Sequence, residues 1–335
     1  MSDIERQTAQ FTADFQRIKQ EIGKVIVGNE PIIDGVLICL LASGHALLEG
    51  VPGLGKTLLV RTLAQAVSLK FSRVQFTPDL MPADITGTNI LIEGAGGQKE
   101  FKFQAGPVFA NIVLADEINR ATPKTQSAML EAMQEHSVTV AGTRHQLHEP
   151  FFVLATQNPI EMEGTYPLPE AQLDRFLFKL LVTSPTFEDL SVIVDRTTGT
   201  PAPPIGMVLD GETIMQMRSL ALEVPISPSV REFAIKVVLG TQPDSEFAPP
   251  AIARYVRYGS SPRGAQAIVT TAKIKALLAG RYSVAIEDIV GVAIPALRHR
   301  LILNFEGQAE GIAPDTLVQA ILDKAKSGAE VKVGV

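Results

Sequence analysis

The stretch Gly50-Val51-Pro52-Gly53-Leu54-Gly55-Lys56-Thr57 constrains this chain more than any other eight residues. It follows the apolar run Ala46-Leu47-Leu48 directly and fits G-x-x-x-x-G-K-[ST] at every fixed position. The pattern predicts a buried strand ending at the glycines, then a helix from Lys56 that carries Leu58, Leu59, Val60, Leu63 and Val67. Glycines let backbone N–H groups turn inward around a polyphosphate, and a helix N-terminus adds a favourable dipole. Lys56 has the reach for β- and γ-phosphates, and the Thr57 hydroxyl suits Mg²⁺. The competing reading is a glycine-rich turn with a chance lysine. The strand before it and the helix after it argue otherwise, and the residues imply a bound nucleoside triphosphate.

Composition bounds the rest. A chain of 335 residues suggests roughly two domains. Apolar residues at 46% and charged residues at 20% suit a globular protein with a sizeable core. The formal charge of −6 argues against a broad basic face for nucleic acid, though not against a local basic groove. The single cysteine, Cys39, sits in an apolar stretch where a core role outweighs catalysis, and it fits a reducing, cytoplasmic compartment. Met1-Ser2-Asp3-Ile4-Glu5 lacks the basic start and apolar run of a secretory signal. The longest apolar run, Val36–Ala42, is too short for a membrane span. His145 and His148 lie three apart in a strand-like segment, on opposite faces, and give no converging metal set.

Strand and helix patterns alternate through the first half. Helices are expected over Gln7–Ile22, Glu30–Ala42, Lys56–Val67 and Lys124–Glu135. Strands are expected at Ala46–Glu49, Arg73–Phe76, Ile112–Ala115, Phe151–Thr156 and Phe176–Leu181. Short all-apolar strands separated by helices predict an α/β fold with a parallel sheet covered on both faces. Two hairpins interrupt it, one over about 86–106 around Glu93–Gly97 and one over about 137–148 around Ala141-Gly142-Thr143. Thr198–Pro204 reads as a stiff loop. The pattern thus divides the chain into an α/β domain at 1–185, a linker at 186–208 and an all-α domain at 209–327. Helices are expected there over Glu212–Leu220, Ser229–Leu239, Gly264–Leu278, Ile286–Leu301 and Asp315–Lys326, with starts at Ser227-Pro228 and Ser261-Pro262 and a stop at Gly280.

Two further strands end in chemistry. Ile112–Ala115 runs into Asp116-Glu117, and strand ends of a parallel sheet face the ligand crevice. Asp116 can bind Mg²⁺, and Glu117 can orient and deprotonate a water aimed at the γ-phosphate. Alone, an acidic pair is more often a helix cap; beside a phosphate loop it gains force. Phe152–Thr156 ends in Gln157-Asn158-Pro159, where the Asn158 amide could hold the attacking water or simply form a turn.

The order of these elements resembles the AAA+ ATPases, and the wording of the motifs is similar to the MoxR family, in the branch with a helix-2 insertion. The matching stretches are Gln75–Asp84, Gly106–Phe109 leading to Asp116–Ala121, Ala155–Pro159, Leu168–Phe176 and Tyr258–Arg263. The resemblance implies a P-loop α/β domain followed by a helical lid, and ATP with Mg²⁺ as ligands. It assigns Asn158 to sensor 1, Arg175 to an arginine finger reaching a neighbouring subunit, and Arg263 to sensor 2. A guanidinium beside the γ-phosphate offsets transition-state charge, an effect on the order of 10³–10⁵ in rate. Val27 and Gly28 are candidate nucleotide contacts ahead of the second helix. Read without the family, Arg175 is a surface helix residue and Arg263 a solvent-facing one at a helix start.

The resemblance further implies a homo-oligomeric ring, hexameric in this family, that hydrolyses ATP to remodel or activate a client protein. A partner with a von Willebrand factor A domain and metal-cofactor insertion are among the implied outcomes. No aromatic-hydrophobic-glycine loop follows the second strand, which argues against processive threading. A nucleic-acid motor is the alternative, but the hairpins offer only Lys99 and Lys102 against Glu93 and Glu100, and Arg144. A nucleotide-gated scaffold with negligible turnover is the third reading, and Glu117 and Arg175 count against it, because a pure switch does not need both.

Overall fold

The computed structural model describes residues 3–51, 53–93, 99–159, 164–199 and 204–333, with side chains through 327. Helix α1 (Asp3–Gly23) buries Phe11, Phe15, Ile18 and Ile22, spaced three and four apart, on one face. Helix α2 (Glu30–Leu41) is apolar nearly all round and buried to match. Cys39 lies in it as a core residue, its thiol pushed far above the usual range by burial.

The core then runs β1 (Ala46–Glu49), α3 (Lys56–Ala66), β2 (Phe71–Gln75), α4 (Pro82–Thr86), β3 (Gly87–Glu93), β4 (Lys99–Ala105) and β5 (Ile112–Asp116). It continues with α5 (Pro123–Glu135), β6 (Ser137–Val140), β7 (Thr143–Gln146), β8 (Phe152–Gln157), α6 (Glu170–Leu173) and β9 (Phe178–Leu181). Five strands form one sheet in the order β2-β5-β8-β1-β9, every pair parallel. Alternate residues feed two apolar layers. Leu48, Leu114 and Leu154 face α1–α3, whereas Leu47, Val113 and Val153 face α5. This is the covered parallel sheet that the apolar runs predict.

Strand bounds differ from expectation by a single residue at β5 (to Asp116) and β8 (Phe152–Gln157), and by more at β2 and β9. β2 begins at Phe71 and stops at Gln75, although Phe76 N–H still reaches the Asp116 carbonyl at 2.9 Å. β9 begins at Phe178, because Phe176 N–H turns back to the Leu173 carbonyl.

Both hairpins are present as antiparallel pairs, β3 with β4 and β6 with β7. The turn at 94–98 lies outside the described residues. At the base of the first, Gly87 has φ +90°, and a Cβ there would come within 2.3 Å of the Gln104 carbonyl. The second hairpin braces the first: His145 stacks on Phe103 with ring centroids 3.8 Å apart. β7 ends at Gln146, so His148 lies beyond the strand rather than on its opposite face.

The segment read as a linker holds helix α7 (Phe187–Thr198). Thr186 and Asp189 close a capping box at its start, and Leu190 and Ile193 share one face. Pro201 and its neighbours at 200–203 lie outside the described residues.

Helices α8 (Gly211–Glu223), α9 (Pro228–Leu239), α10 (Pro250–Tyr255), α11 (Pro262–Leu278), α12 (Ile286–Leu297), α13 (Phe305–Ala309) and α14 (Pro314–Val333) build the helical lid. The lid is not purely helical, because β10 (Val256–Tyr258) and β11 (Ile302–Leu303) pair as a short antiparallel ribbon. α12 ends at Leu297 rather than running on to Leu301, ahead of the ribbon strand at Ile302. Ser227 and Ser261 cap α9 and α11 through their hydroxyls, and Gly280 (φ +70°) stops α11 with Arg281 N–H bonded to the Ala276 carbonyl.

His45 ties the sheet to α5. Its Nδ1 accepts from Val153 N–H and its Nε2–H donates to the Met133 carbonyl, each at 3.0 Å. Burial pulls this imidazole down to about 4 from 6.5, so it folds neutral. A base with a depressed folded value stabilises fully above the unfolded value and loses that contribution as pH falls from 6.5 towards 4. His45→Gln should therefore remove about one proton of linkage, about 1.4 kcal/mol per pH unit, between pH 6 and 5. Urea unfolding at several pH values reads it, and identical slopes in variant and parent would refute it.

Candidate functional site

The phosphate loop leaves β1 at Gly50, whose N–H bonds the Gln157 carbonyl at 3.3 Å. Gly53 and Gly55 adopt φ +85° and +73°, left-handed conformations that open space would not relieve for a residue with a side chain. Pro52 lies outside the described residues. Gly55 is the N-cap of α3 and provides no side-chain cap, so the first-turn N–H groups of α3 stay available to an anion. Lys56 Nζ donates to the Gly50 carbonyl at 2.5 Å, folding the ammonium back over the loop. Burial pulls Lys56 below its ordinary range, against the opposing pull of Asp116, Glu117 and Glu49.

A cavity of about 310 Å³ adjoins this loop. Gly53, Leu54, Gly55 and Lys56 form one wall, and Val25–Val27 with Leu190 and Ile193 of α7 form the other. The candidate Val27 is in this wall. Gly28 sits beside it with φ +66°, where a Cβ would come within 2.6 Å of the Asp189 carboxylate. Arg196 of α7 donates to the Gly23 and Lys24 carbonyls, fastening that helix to the segment before Val25. The apolar wall from α7 is the part that the linker reading missed; the spacing of Leu190 and Ile193 was its signal.

Asp116 and Glu117 lie at the end of β5, next to β8 and beside β2. The buried Thr156 hydroxyl joins the two acids: it donates to Asp116 Oδ1 at 2.7 Å and accepts from Glu117 N–H at 2.8 Å. Asp116 Oδ2 accepts from Arg73 Nε at 3.0 Å and Nη2 at 2.6 Å. Glu117 is left-handed at φ 57°, and its Oε2 accepts from Gln75 Nε2 at 2.9 Å and Arg120 Nη1 at 3.1 Å. None of Arg73, Gln75, Arg120 and Thr156 was given a role from the sequence, although the last three lie in the stretches that carry the resemblance. Register supplies the reason, since β2 pairs Gln75 with Asp116 across strands 41 positions apart.

The Thr57 hydroxyl at the start of α3 and the Asp116 carboxylate are hard oxygen donors, the kind that Mg²⁺ accepts alongside phosphate and water. Among the described residues, no group of three His, Cys, Asp or Glu forms an all-protein metal cage. A cation at Asp116 would compete with Arg73. Asn158 is buried directly after β8, the strand between β5 and β1, and so lies between the acids and the phosphate loop in the sheet order.

Arg175 and Arg263 are elsewhere. Arg175 follows α6 in the turn to β9, and its Nε is buried without a hydrogen-bond partner. Arg263, in the first turn of α11, lies 3.6 Å from Asp174 Oδ2. Together with Arg300 they line a separate cavity of about 210 Å³, and neither is among the described residues lining the phosphate-loop cavity. The resemblance gives Arg175 to a neighbouring subunit's site and Arg263 to sensor 2; in the fold both line this second cavity.

Comparison with known proteins agrees with this architecture. Residues 45–178 match the ATPase family associated with various cellular activities (AAA), and residues 250–321 match the AAA lid domain. The chain is 42% identical to Chaperone MoxR1 of Mycobacterium tuberculosis, over 90% of this chain and 79% of that one. It is 44% identical to the uncharacterised protein YeaC of Bacillus subtilis, over 92% of each chain. It is 32% identical to Protein MoxR of Methylorubrum extorquens, over 92% of this chain and 93% of that one. The crystal structure of a candidate ATPase from Cytophaga hutchinsonii superposes with a TM-score of 0.88 at 42% identity, covering 96% of each chain. Shared fold, matched domains and relatives of this identity have one meaning: the chain belongs to the MoxR family of AAA+ ATPases.

Proposed function

We propose that this protein is a ring-forming ATPase, six subunits to a ring, that spends ATP hydrolysis on remodelling or activating a client protein. The observation that carries the reading is the separation of the two guanidiniums from their own phosphate loop. A nucleotide on that loop lacks them until a second subunit delivers Arg175 and Arg263.

In this reading, Gly50–Thr57 cradles the β- and γ-phosphates with backbone N–H groups, and Lys56 exchanges the Gly50 carbonyl for phosphate oxygens. Thr57 and Asp116 hold Mg²⁺, which supplies charge neutralisation across the phosphates. Glu117 takes a proton from water as the water oxygen bonds to the γ-phosphorus and ADP leaves. Gln75 and Arg120 hold its Oε2, so the other carboxylate oxygen is the one that takes the proton. Asn158 orients that water, and the neighbour's guanidiniums offset the charge of the transition state. Val27 and the α7 face accept the base.

A protein client is favoured by what the first hairpin presents. Leu91 and Phe101 are cross-strand partners, 54% and 76% exposed. Arg144 of the second hairpin, whose Nε donates to the Ser137 hydroxyl at 2.9 Å, adds a single exposed cation. Apolar pairs grip polypeptide; nucleic acid needs cations. A partner carrying a von Willebrand factor A domain, maturation of a metal enzyme and a cytoplasmic setting complete the proposal. The chaperone naming of the mycobacterial relative and the reduced, buried Cys39 support it. Among the described residues no helix is long and apolar enough to cross a membrane.

Three outcomes follow from these roles. Lys56→Ala should weaken ATP binding on the order of 10²-fold with the fold intact, since charge-assisted phosphate bonds are lost. Calorimetry returning parental affinity would remove the loop from the mechanism. Glu117→Gln should bind ATP normally yet lower kcat by roughly 10²–10⁴; parental turnover would mean that another group activates the water. Arg175→Ala and Lys56→Ala should each be nearly inactive, while their mixture regains hydrolysis wherever an intact pocket meets an intact Arg175. A mixture no faster than its components would defeat the shared site.

A further inference from the structure

We propose that Asp174 and Arg300 form a positioning pair that locks the Arg175 turn to the lid, so that each subunit offers Arg175 and Arg263 to its neighbour as one rigid unit. The inference rests on the shared-site reading above. It concerns residues that touch no nucleotide of their own chain.

The geometry is specific. Arg300 follows α12, is only 6% exposed, and reaches out of the lid into the core. Its Nε donates to Asp174 Oδ1 at 2.8 Å. Its Nη2 donates to the Asp174 carbonyl at 3.0 Å and the Phe176 carbonyl at 2.9 Å. Those two carbonyls flank Arg175, so one guanidinium grips the backbone on both sides of that residue. His299 Nε2 lies 2.9 Å from the same Phe176 carbonyl and 2.9 Å from Arg300 Nη1. The second carboxylate oxygen of Asp174 accepts from Ser261 Oγ, the cap of α11, at 2.8 Å, and faces Arg263 at 3.6 Å.

One carboxylate thus gathers the start of α11, the end of α12 and the Arg175 turn. Desolvation makes a buried ion pair a weak source of stability, whereas its directional bonds hold a single geometry. Rotating the lid without breaking these bonds must carry Arg175 and Arg263 together.

The test uses the full chain and reads where a defect lies. Arg300→Met keeps bulk and removes the donor fork; Asp174→Asn keeps an acceptor for Ser261 and removes the charge. A misplacement near 1 Å at a catalytic group costs on the order of 10²-fold. Arg300→Met should therefore lower kcat by about that factor and Asp174→Asn by less, with KM for ATP and affinity for a fluorescent ATP analogue within about threefold of the parent. Arg300→Lys, which keeps charge without the fork, should recover part of the loss.

Mixing gives the direction. Arg300→Met should regain hydrolysis when mixed with Lys56→Ala, which supplies a sound Arg175, and regain none with Arg175→Ala. The opposite pattern, or a tenfold loss of nucleotide affinity, would make Arg300 a support of its own pocket and overturn the proposal. Parental activity in both Arg300→Met and Asp174→Asn would also overturn it, and Asp174→Asn alone decides if Arg300→Met does not fold. The control mixture of Lys56→Ala with Arg175→Ala separates the two claims: without rescue there the shared site falls and this inference with it, whereas rescue there alone defeats only the pairing.

Discussion

The backbone pairing of β8 between β5 and β1 is the constraint on which the rest of the site depends. Because all five strands run parallel, their C-terminal ends emerge on one edge. That single ladder sets Glu49, Gln157 and Asp116 side by side, and with them the phosphate loop, Asn158 and the acidic pair. Thr156 then converts proximity into orientation, since its hydroxyl donates to one acid and accepts from the backbone of the next. A shift of β8 by one residue would turn Thr156 to the other face and take its hydroxyl from the Asp116 carboxylate and the Glu117 N–H.

Parts of the molecule that are local in sequence were legible in it. The glycines, Lys56 and Thr57 need only a strand before and a helix after, and both announce themselves by apolar runs. The acid strand and the Asn158 strand read equally well, because each is all-apolar up to a polar end. The bonds of Arg73 and Gln75 to the acids escaped notice because nothing local marks a residue on an edge strand as a partner of an acid far along the chain; only the β2–β5 register does. Helix α7 escaped for a different reason. It buries none of its residues fully, and the prolines after it dominate the composition of the segment.

The two arginines show where motif reading and geometry part. Their motifs are legible through the resemblance, which already sends Arg175 towards a neighbouring subunit. Where each guanidinium sits in its own subunit depends on tertiary contacts distant in sequence, chiefly Asp174 with Arg263 and Arg300. No local pattern carries those contacts.

The first hairpin has a mechanical consequence. Gly87 and Gly106 meet at its base so closely that a Cβ on either would lie within 2.3 Å of a backbone oxygen. Val108 N–H and the Ile85 carbonyl close the same crossing at 3.2 Å. Seven residues per strand give an arm of roughly 24 Å, so a tilt of about 10° at that base swings its far end about 4 Å. Side chains small enough to let two chains touch make the base a stiff pivot rather than a loose joint. The arm is a lever, with its fulcrum a few residues before the start of the strand whose far end carries Asp116.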